Sequence, residues 1–247
     1  MNGEGVSSES LQALDLVKIY GGKRVVDGVS VAVRRRRIVG LLGPNGAGKT
    51  TTFYMIVGLT RPDGGRVFLD DEEITGDPMY VRARKGIHYL AQEPSVFRKL
   101  TVEENILAIL ESLQVPPRDR RRMAREALGE LNIEHLAGQK ASSLSGGERR
   151  RLEITRALVT KPSFMLLDEP FAGIDPLAIS DIQTIVRQLK DRGLGIIISD
   201  HNVRETLNVC DSAYIISQGR IIEQGPPEKI VHSRVARTVY LGEDFAL

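Results

Sequence analysis

The stretch IVGLLGPNGAGKTT, residues 38–51, decides the fold. Its first five residues are apolar apart from one glycine, as expected of a strand covered on both faces. The next nine, GPNGAGKTT, fit the P-loop pattern, Gly43 through Gly48 followed by Lys49 and Thr50. Strand, glycine-rich turn and helix in that order are the context in which this pattern binds phosphate. Gly43, Pro44, Asn45, Gly46, Ala47 and Gly48 can wrap so that successive N–H groups point at the phosphates, aided by the helix N-terminus that Thr51 continues. Lys49 supplies a point charge to the β- and γ-phosphates, and the Thr50 hydroxyl a ligand for Mg²⁺. The competing reading is a glycine turn that binds nothing. Agreement of motif with context argues against it.

Outward from the loop, β-branched runs punctuate the chain: VVDGVSVAV, RVFLD, FMLLD, GIIISD and AYIIS. Helical patterns lie between them. Ile179, Ile182, Val186 and Leu189 recur at helical spacing after FMLLD, and VRETLNVC follows GIIISD. This alternation predicts an α/β domain, a P-loop NTPase with a mainly parallel core sheet. Residues 11–33 read instead as antiparallel strands, and AYIISQGRIIEQG reads as a hairpin. Over residues 101–143 helix replaces the alternation, with EENILAILESL and then DRRRMAREALGELNI. The expected organisation is a disordered segment over residues 1–10 and a single domain over 11–247. A helical subdomain at about 93–160 is inserted in the core, and a tail starts at about 226. A chain of 247 residues suits one large domain with an insertion.

Lys and Arg total 34 against 32 Asp and Glu, so a net charge of +2 argues against a polyanionic partner such as nucleic acid. The clusters Arg34–Arg37 and DRRRMAR (residues 119–125) read as solvated faces. Cys210 is the only cysteine, which excludes an internal disulfide and a Cys-based metal cluster; it reads as a small core residue. The opening MNGEGVSSESLQ lacks the basic-then-apolar order of a signal peptide, and no apolar run approaches the roughly 20 residues of a membrane span. The expectation is a soluble, cytosolic chain that meets a membrane only through partners.

Beyond the P-loop, FMLLDEP ends an apolar strand in two carboxylates, at the sheet edge where α/β proteins bind ligands. Asp168 suits a metal anchor and Glu169 the polarising of an attacking water. A helix N-cap is the other reading of the pair, and the P-loop upstream favours the first. His201, in IIISDHN, falls just past another buried strand and so near the same γ-phosphate. Gln92, in HYLAQEP, can bridge metal and water, or be an ordinary loop glutamine.

GPNGAGKTT, LAQEP, LSGGE, FMLLDEP, GIDP and SDHN occur in that order, and with them the chain resembles the nucleotide-binding subunits of ABC transporters from about residue 11 onward. LSGGE is diagnostic of that family. The resemblance implies an ABC-type ATPase using ATP and Mg²⁺, with Glu169, His201, Gln92 and Lys49 catalytic and Thr50, Gln92 and Asp168 around the metal. It makes Gln92 the Q-loop residue, His201 the switch histidine, Asp175 the D-loop residue and Tyr20 the aromatic that stacks on adenine. It also explains why a second phosphate cradle exists. Ser145, Gly146, Gly147 and Glu148 open a helix much as the P-loop does. By resemblance the insertion carries them away from this chain's own P-loop, to a γ-phosphate bound on a second copy. Two copies then face head to tail, each ATP clamped between Lys49 of one and Ser145 and Asp175 of the other.

Within the family, QEPSVFRKLTVEENI, LSGGERRRLEITRAL, DEPFAGIDP, SDHNVRETLNVCDSAYIISQG and VYLGEDF are similar to the cytoplasmic ATPases of lipopolysaccharide export transporters. That likeness implies two transmembrane permease subunits, a bitopic regulatory subunit and a peripheral place on the cytoplasmic face of the inner membrane. Phe97 and Arg98 are then candidates to receive a permease coupling helix, the other reading of Phe97 being a core residue of the insertion. Alternatives are the ATPase of a branched-chain amino-acid importer, a non-transport ABC ATPase acting on DNA or ribosomes, and an adaptor that binds ATP without hydrolysing it. The chain departs from the family pattern at Ala91, where proline is common, at Arg36 and Arg37, where Gly-Glu is common, and in its D-loop, GIDP. For the tail VYLGEDFAL two readings stand: docking on the dimer mate, or packing on its own domain.

Overall fold

The computed structural model describes residues 9–242 together with Phe245. In chain order the strands are β1 Ser10–Tyr20, β2 Lys23–Arg34, β3 Ile38–Leu42, β4 Gly64–Leu69, β5 Glu72–Glu73, β6 Ile87–Leu90, β7 Phe164–Asp168, β8 Gly195–Ser199, β9 Ser212–Ser217 and β10 Arg220–Gly225. The α-helices of five residues or more are α1 Lys49–Val57, α2 Met79–Arg84, α3 Val102–Ser112, α4 Pro117–Glu130, α5 Gly146–Leu158, α6 Pro176–Asp191, α7 Val203–Leu207 and α8 Pro227–His232. The expected disorder of residues 1–8 lies outside the described residues. Ser10, counted with that segment, belongs instead to β1, where its N–H donates to Asp70 Oδ1 at 2.8 Å.

Two sheets result. The smaller, β2-β1-β4-β5, is antiparallel throughout. Its first hairpin turns through Gly21 and Gly22, both at positive φ (54° and 78°), the backbone that a two-residue turn between twisted strands requires. The larger runs β10-β9-β3-β8-β7-β6, parallel except for the β9–β10 hairpin. β3, β7 and β8 are buried at every residue, which matches their largely apolar sequence, broken only at the strand ends by Asp168 and Ser199. Their side chains alternate between two cores. Leu166 and Ile197 join α1 on one face; Met165, Leu167, Ile196 and Ile198 meet Ile182, Val186 and Leu189 of α6 on the other.

The helix that follows the P-loop lies between the two sheets. Phe53, Met55, Ile56 and Val57 of α1 share one core with Leu11 and Val29 of the smaller sheet and Leu41 of the larger. A helix apolar on most sides has to be enclosed in this way. Its C-terminal carbonyls are met by Arg82, which is 1% exposed and donates to Met55 O, Ile56 O, Thr75 O and Asp77 O at 2.8, 2.6, 3.0 and 2.8 Å. A cation at the negative end of the helix dipole is well placed. Burial still draws its pKa down to about 10.

α3, α4 and α5 enclose a separate core of Val102, Ile106, Leu110, Ala124, Leu128 and Leu152. Thr101 and Glu104 start α3 with a reciprocal capping box. At the C-terminal end Ile230, Val231 and Ala236 pack on Leu42, Leu207 and Ile215, joined by Tyr240 and Leu241. The described part of the tail therefore packs on its own domain. Cys210 is buried, as expected, and burial pushes its thiol pKa up.

The Arg34–Arg37 cluster is not the uniform solvated face expected of it. Arg35 lays its guanidinium 5.8 Å from the Phe164 ring centre, and Arg37 lies 3.4 Å from Asp211. Arg36 adopts φ 57° in the β2–β3 turn, a left-handed backbone that costs a non-glycine residue on the order of 1 kcal/mol. No helix among the described residues is long and apolar enough to cross a membrane.

Arg82→Met would leave the buried carbonyls of Met55 and Ile56 without donors. It is expected to lower stability by about 3 kcal/mol and the melting temperature by roughly 6–12 °C in a thermal melt. An unchanged melt would remove Arg82 from the support of α1.

Candidate active site

β3 delivers the chain from the core into the glycine loop, and two of its glycines have no substitute. A Cβ on Gly43 would lie 2.1 Å from the Ile216 carbonyl oxygen, and one on Gly48, at φ 107°, 2.7 Å from the Val25 carbonyl oxygen. Lys49 opens α1 at only 7% exposure, its Nζ donating to Gly43 O at 2.7 Å and Pro44 O at 3.1 Å. Burial lowers its pKa, against the opposing fields of Glu169, Asp168 and Asp200. A cavity of about 300 Å³ is lined by Asn45 through Thr51 with Val25 and Glu169. A second, of about 710 Å³, continues from Asn45, Gly46 and Ala47 past Lys23, Arg24 and Gln218. Together they offer the volume of a ligand site. Tyr20 ends β1 opposite Lys23 in register and is 49% exposed, with Lys18 Nζ 5.4 Å from its ring centre; Lys23 lines the second cavity, and Tyr20 lines neither.

Three sequence-predicted residues converge across from the loop. Glu169 Oε2 accepts from Gln92 Nε2 at 2.9 Å and lies 3.3 Å from His201 Nδ1. The reason is topological. Gln92, Glu169 and His201 closely follow β6, β7 and β8, which are adjacent and parallel, so all three strands end on one sheet edge. Glu169 sits at φ 48°, a left-handed conformation that turns the chain sharply, and its N–H donates to Ser199 O at 2.6 Å. Asp168, the last residue of β7, is 3% exposed and accepts from Tyr89 OH at 3.0 Å; burial raises its pKa. A carboxylate only accepts, so Gln92 turns its amide nitrogen to Glu169 and keeps its oxygen for another ligand. Thr50 lines the same cavity as Lys49 and Glu169.

The second cradle stands apart. Ser145 caps α5 in a capping box: Ser145 N and Oγ both donate to Glu148 Oε2 at 2.8 Å, and Glu148 N donates back to Oγ at 3.3 Å. Gly146 and Gly147 let α5 lie close to the D-loop and α6, since a Cβ on either would come within 2.9 Å of Ile174 or Ala178. Asp175 caps α6, accepting from Ala178 N at 2.9 Å. None of these five residues lines either cavity beside this chain's own P-loop.

One buried pair has no forewarning in the motif pattern. Arg150 and Glu153, one turn apart on α5, form a 3.0 Å ion pair with side chains only 8% and 5% exposed. Arg150 also donates to the Ala91 carbonyl at 3.3 Å and the Glu169 carbonyl at 3.2 Å. Glu153 accepts from Ser95 N at 2.7 Å, and burial raises its pKa. Arg156 donates to Ser95 O at 2.6 Å and covers the Phe97 ring at 4.5 Å. Phe97 itself is 44% exposed, so the alternative of a core residue in the insertion is set aside; Arg98 is exposed beside it. In the sequence this pair is part of a run of charges, ERRRLE. Only the i, i+3 spacing hints that two of them share a face.

The family model described as "ABC transporter" matches residues 26–172. The chain is 53% identical over 240 residues to the lipopolysaccharide export system ATP-binding protein LptB of Acidithiobacillus ferridurans, covering 97% of this chain and 100% of that one. It is 57% identical over 239 residues to a probable ABC transporter ATP-binding protein of Azorhizobium caulinodans, covering 96% of this chain and 85% of that one. Among solved structures it resembles the ADP conformation of an ATP-binding cassette of an ABC transporter, with TM-score 0.85 and 32% identity, over 95% of this chain and 99% of that one. A family model matching more than half of the chain, and relatives this similar over nearly all of it, leave one conclusion: the chain belongs to the ABC transporter family, as an ATP-hydrolysing cassette.

Proposed function

We propose that this cassette powers lipopolysaccharide export, from a peripheral position on the cytoplasmic face of an inner membrane. The observation that supports this most is the extent of likeness: the 53% identity to LptB of A. ferridurans runs over that protein's whole length. ATPases of this family work as dimers with membrane permeases. Here the partners are two transmembrane subunits and a bitopic regulatory subunit. An importer ATPase would share the same site and differ in its permease, so partners and phenotype discriminate. Depleting the chain is expected to stop lipopolysaccharide arriving at the outer membrane, and its tagged form to co-purify with the permeases. A growth defect confined to amino-acid uptake would overturn the export reading.

For the chemistry, the P-loop N–H groups and Lys49 hold the phosphates, and Tyr20 stacks on adenine. On binding, Lys49 exchanges the carbonyls of Gly43 and Pro44 for phosphate oxygens. Thr50, Asp168 and the Gln92 oxygen make a set of hard oxygen donors, which fits Mg²⁺ and not a softer metal. Bound there, Mg²⁺ would neutralise charge on the phosphates. Glu169 orients and polarises the attacking water. Gln92 and His201 hold the Glu169 carboxylate at one oxygen, Oε2, and His201 offers its ring to the γ-phosphate. Ser145, Gly146, Gly147, Glu148 and Asp175 complete the site on the other copy. Their separation from this chain's own cavity supports that pairing.

Glu169→Gln keeps ATP binding and lowers phosphate release by about 10²- to 10⁴-fold, the usual contribution of a general base; near wild-type release would remove Glu169 from that role. Ser145→Arg should abolish turnover while the monomer still binds ATP, as read by nucleotide-binding isotherms beside a phosphate assay. Phe97→Ala is expected to weaken co-purification with the permeases and spare basal hydrolysis. Equal loss of both would mean that Phe97 supports the fold and not docking.

A further inference from the structure

The Asp200 carboxylate lies between the loop that carries Glu169 and the loop that carries His201, and neither the metal set nor the phosphate cradle uses it. Its side chain is wholly buried. One oxygen, Oδ2, accepts from Phe171 N at 3.0 Å, inside the turn that follows Glu169. The other, Oδ1, accepts from Asn202 N at 2.8 Å, in the turn that contains His201, and lies 3.6 Å from His201 Nδ1. Among the described residues it has no lysine or arginine in ion-pair contact. A carboxylate out of water without an ion-pair contact to lysine or arginine is costly, and two directed N–H groups offset part of the cost.

The Phe171 end of this link is anchored. Phe171 is 3% exposed in the core beneath α6. The same turn is closed by Ala172 N donating to Glu169 O at 3.2 Å, with Glu169 at φ 48°. The His201 end is not: the His201 side chain is 58% exposed and rests on Asp200 and Glu169. Asp200 therefore joins a rigid turn to an exposed imidazole through two acceptor atoms of one side chain. Asparagine cannot replace it in kind. Its single oxygen serves one N–H, and its amide nitrogen would confront the other.

We propose that Asp200 is a positioning residue for hydrolysis: by bonding Phe171 N and Asn202 N together, it sets the distance between the His201 ring and the Glu169 carboxylate. It touches neither ATP nor metal. The inference rests on the reading that Glu169 and His201 carry hydrolysis, and it adds the element that holds them in register.

The test is a steady-state and binding comparison of wild type, Asp200→Asn, Asp200→Ser and His201→Ala in the full chain assembled with its permeases. Asp200→Asn is expected to lower kcat about 10- to 100-fold, the scale of a misplaced catalytic group, with KM and the Kd for ATP changed less than about threefold. Asp200→Ser, which can still cap Asn202 N but cannot span to Phe171, is expected to show the same split. In the His201→Ala background, Asp200→Asn should cost less than about threefold further, because the residue acts through the histidine. A purely structural role would instead give full additivity, or parallel losses of kcat and ATP affinity; either overturns the proposal. It is also overturned if both Asp200 variants fail to fold or to bind ATP, since the residue is then a determinant of the fold. Retained turnover in His201→Ala would refute the reading of His201 itself. Loss in His201→Ala with none in Asp200→Asn would refute only the positioning role.

Discussion

A cation held out of water at the wrong end of a helix is the constraint around which this molecule is arranged. Lys49 begins α1, where the helix dipole disfavours positive charge, and it is almost wholly buried. Two things make this tolerable. The Gly43 and Pro44 carbonyls take its N–H groups, and Asp168, Glu169 and Asp200 surround it with negative field. The helix itself is fastened at its far end by a second buried cation, Arg82, on the favourable side of the dipole. With one sheet on each side, α1 has little room to shift, and the lysine is placed by the fold and not by its own flexible stem.

The negative field comes from a single sheet edge. Adjacent parallel strands end together, so the residues after β6, β7 and β8 meet without any long loop having to bring them there. What remains is fine adjustment, and here backbone irregularity and buried polar side chains take over. Glu169 turns left-handed, Asp200 bonds the neighbouring turns, and Arg150 reaches from α5 to the Glu169 carbonyl. Arg150 and Glu153 also join the insertion to the segment that displays Phe97. Ser95, Glu153, Arg150 and the Glu169 carbonyl thus form one hydrogen-bonded series.

Legibility in the sequence followed the kind of signal. Elements whose apolar pattern answers to one neighbour could be read: β3, β7 and β8 as apolar runs, α6 from its spacing, α3 and α4 from the change of period. The residues after strand ends could be read too, because parallel topology puts them on one edge whatever the details. Charged residues could not. Arg35, Arg82, Arg150 and Glu153 look like surface charges in a chain rich in them. Arg35 is partly covered by Phe164, and the other three are removed from water by partners distant in sequence, such as the carbonyls of Met55 and Ile56 or Ser95. At Phe97 the sequence left two readings open, since an aromatic residue beside an apolar helix can equally be core or exposed anchor, and only its neighbours decide.

By itself, then, the sequence determined the phosphate loop, the strand–helix alternation and the residue types at the sheet edge, because these follow from local conformational preference and hydrophobic period. Tertiary structure alone decided three further things. It put the LSGGE cradle away from this chain's own Lys49, with its glycines serving as close contacts for the D-loop and α6. It turned Arg82 and the Arg150–Glu153 pair from surface charges into buried ties. It aimed Gln92 and His201 at one oxygen of Glu169. The physical reason is the same in each case. Burial and hydrogen-bond partnership belong to pairs of residues far apart in the chain, and no single stretch of sequence carries that information.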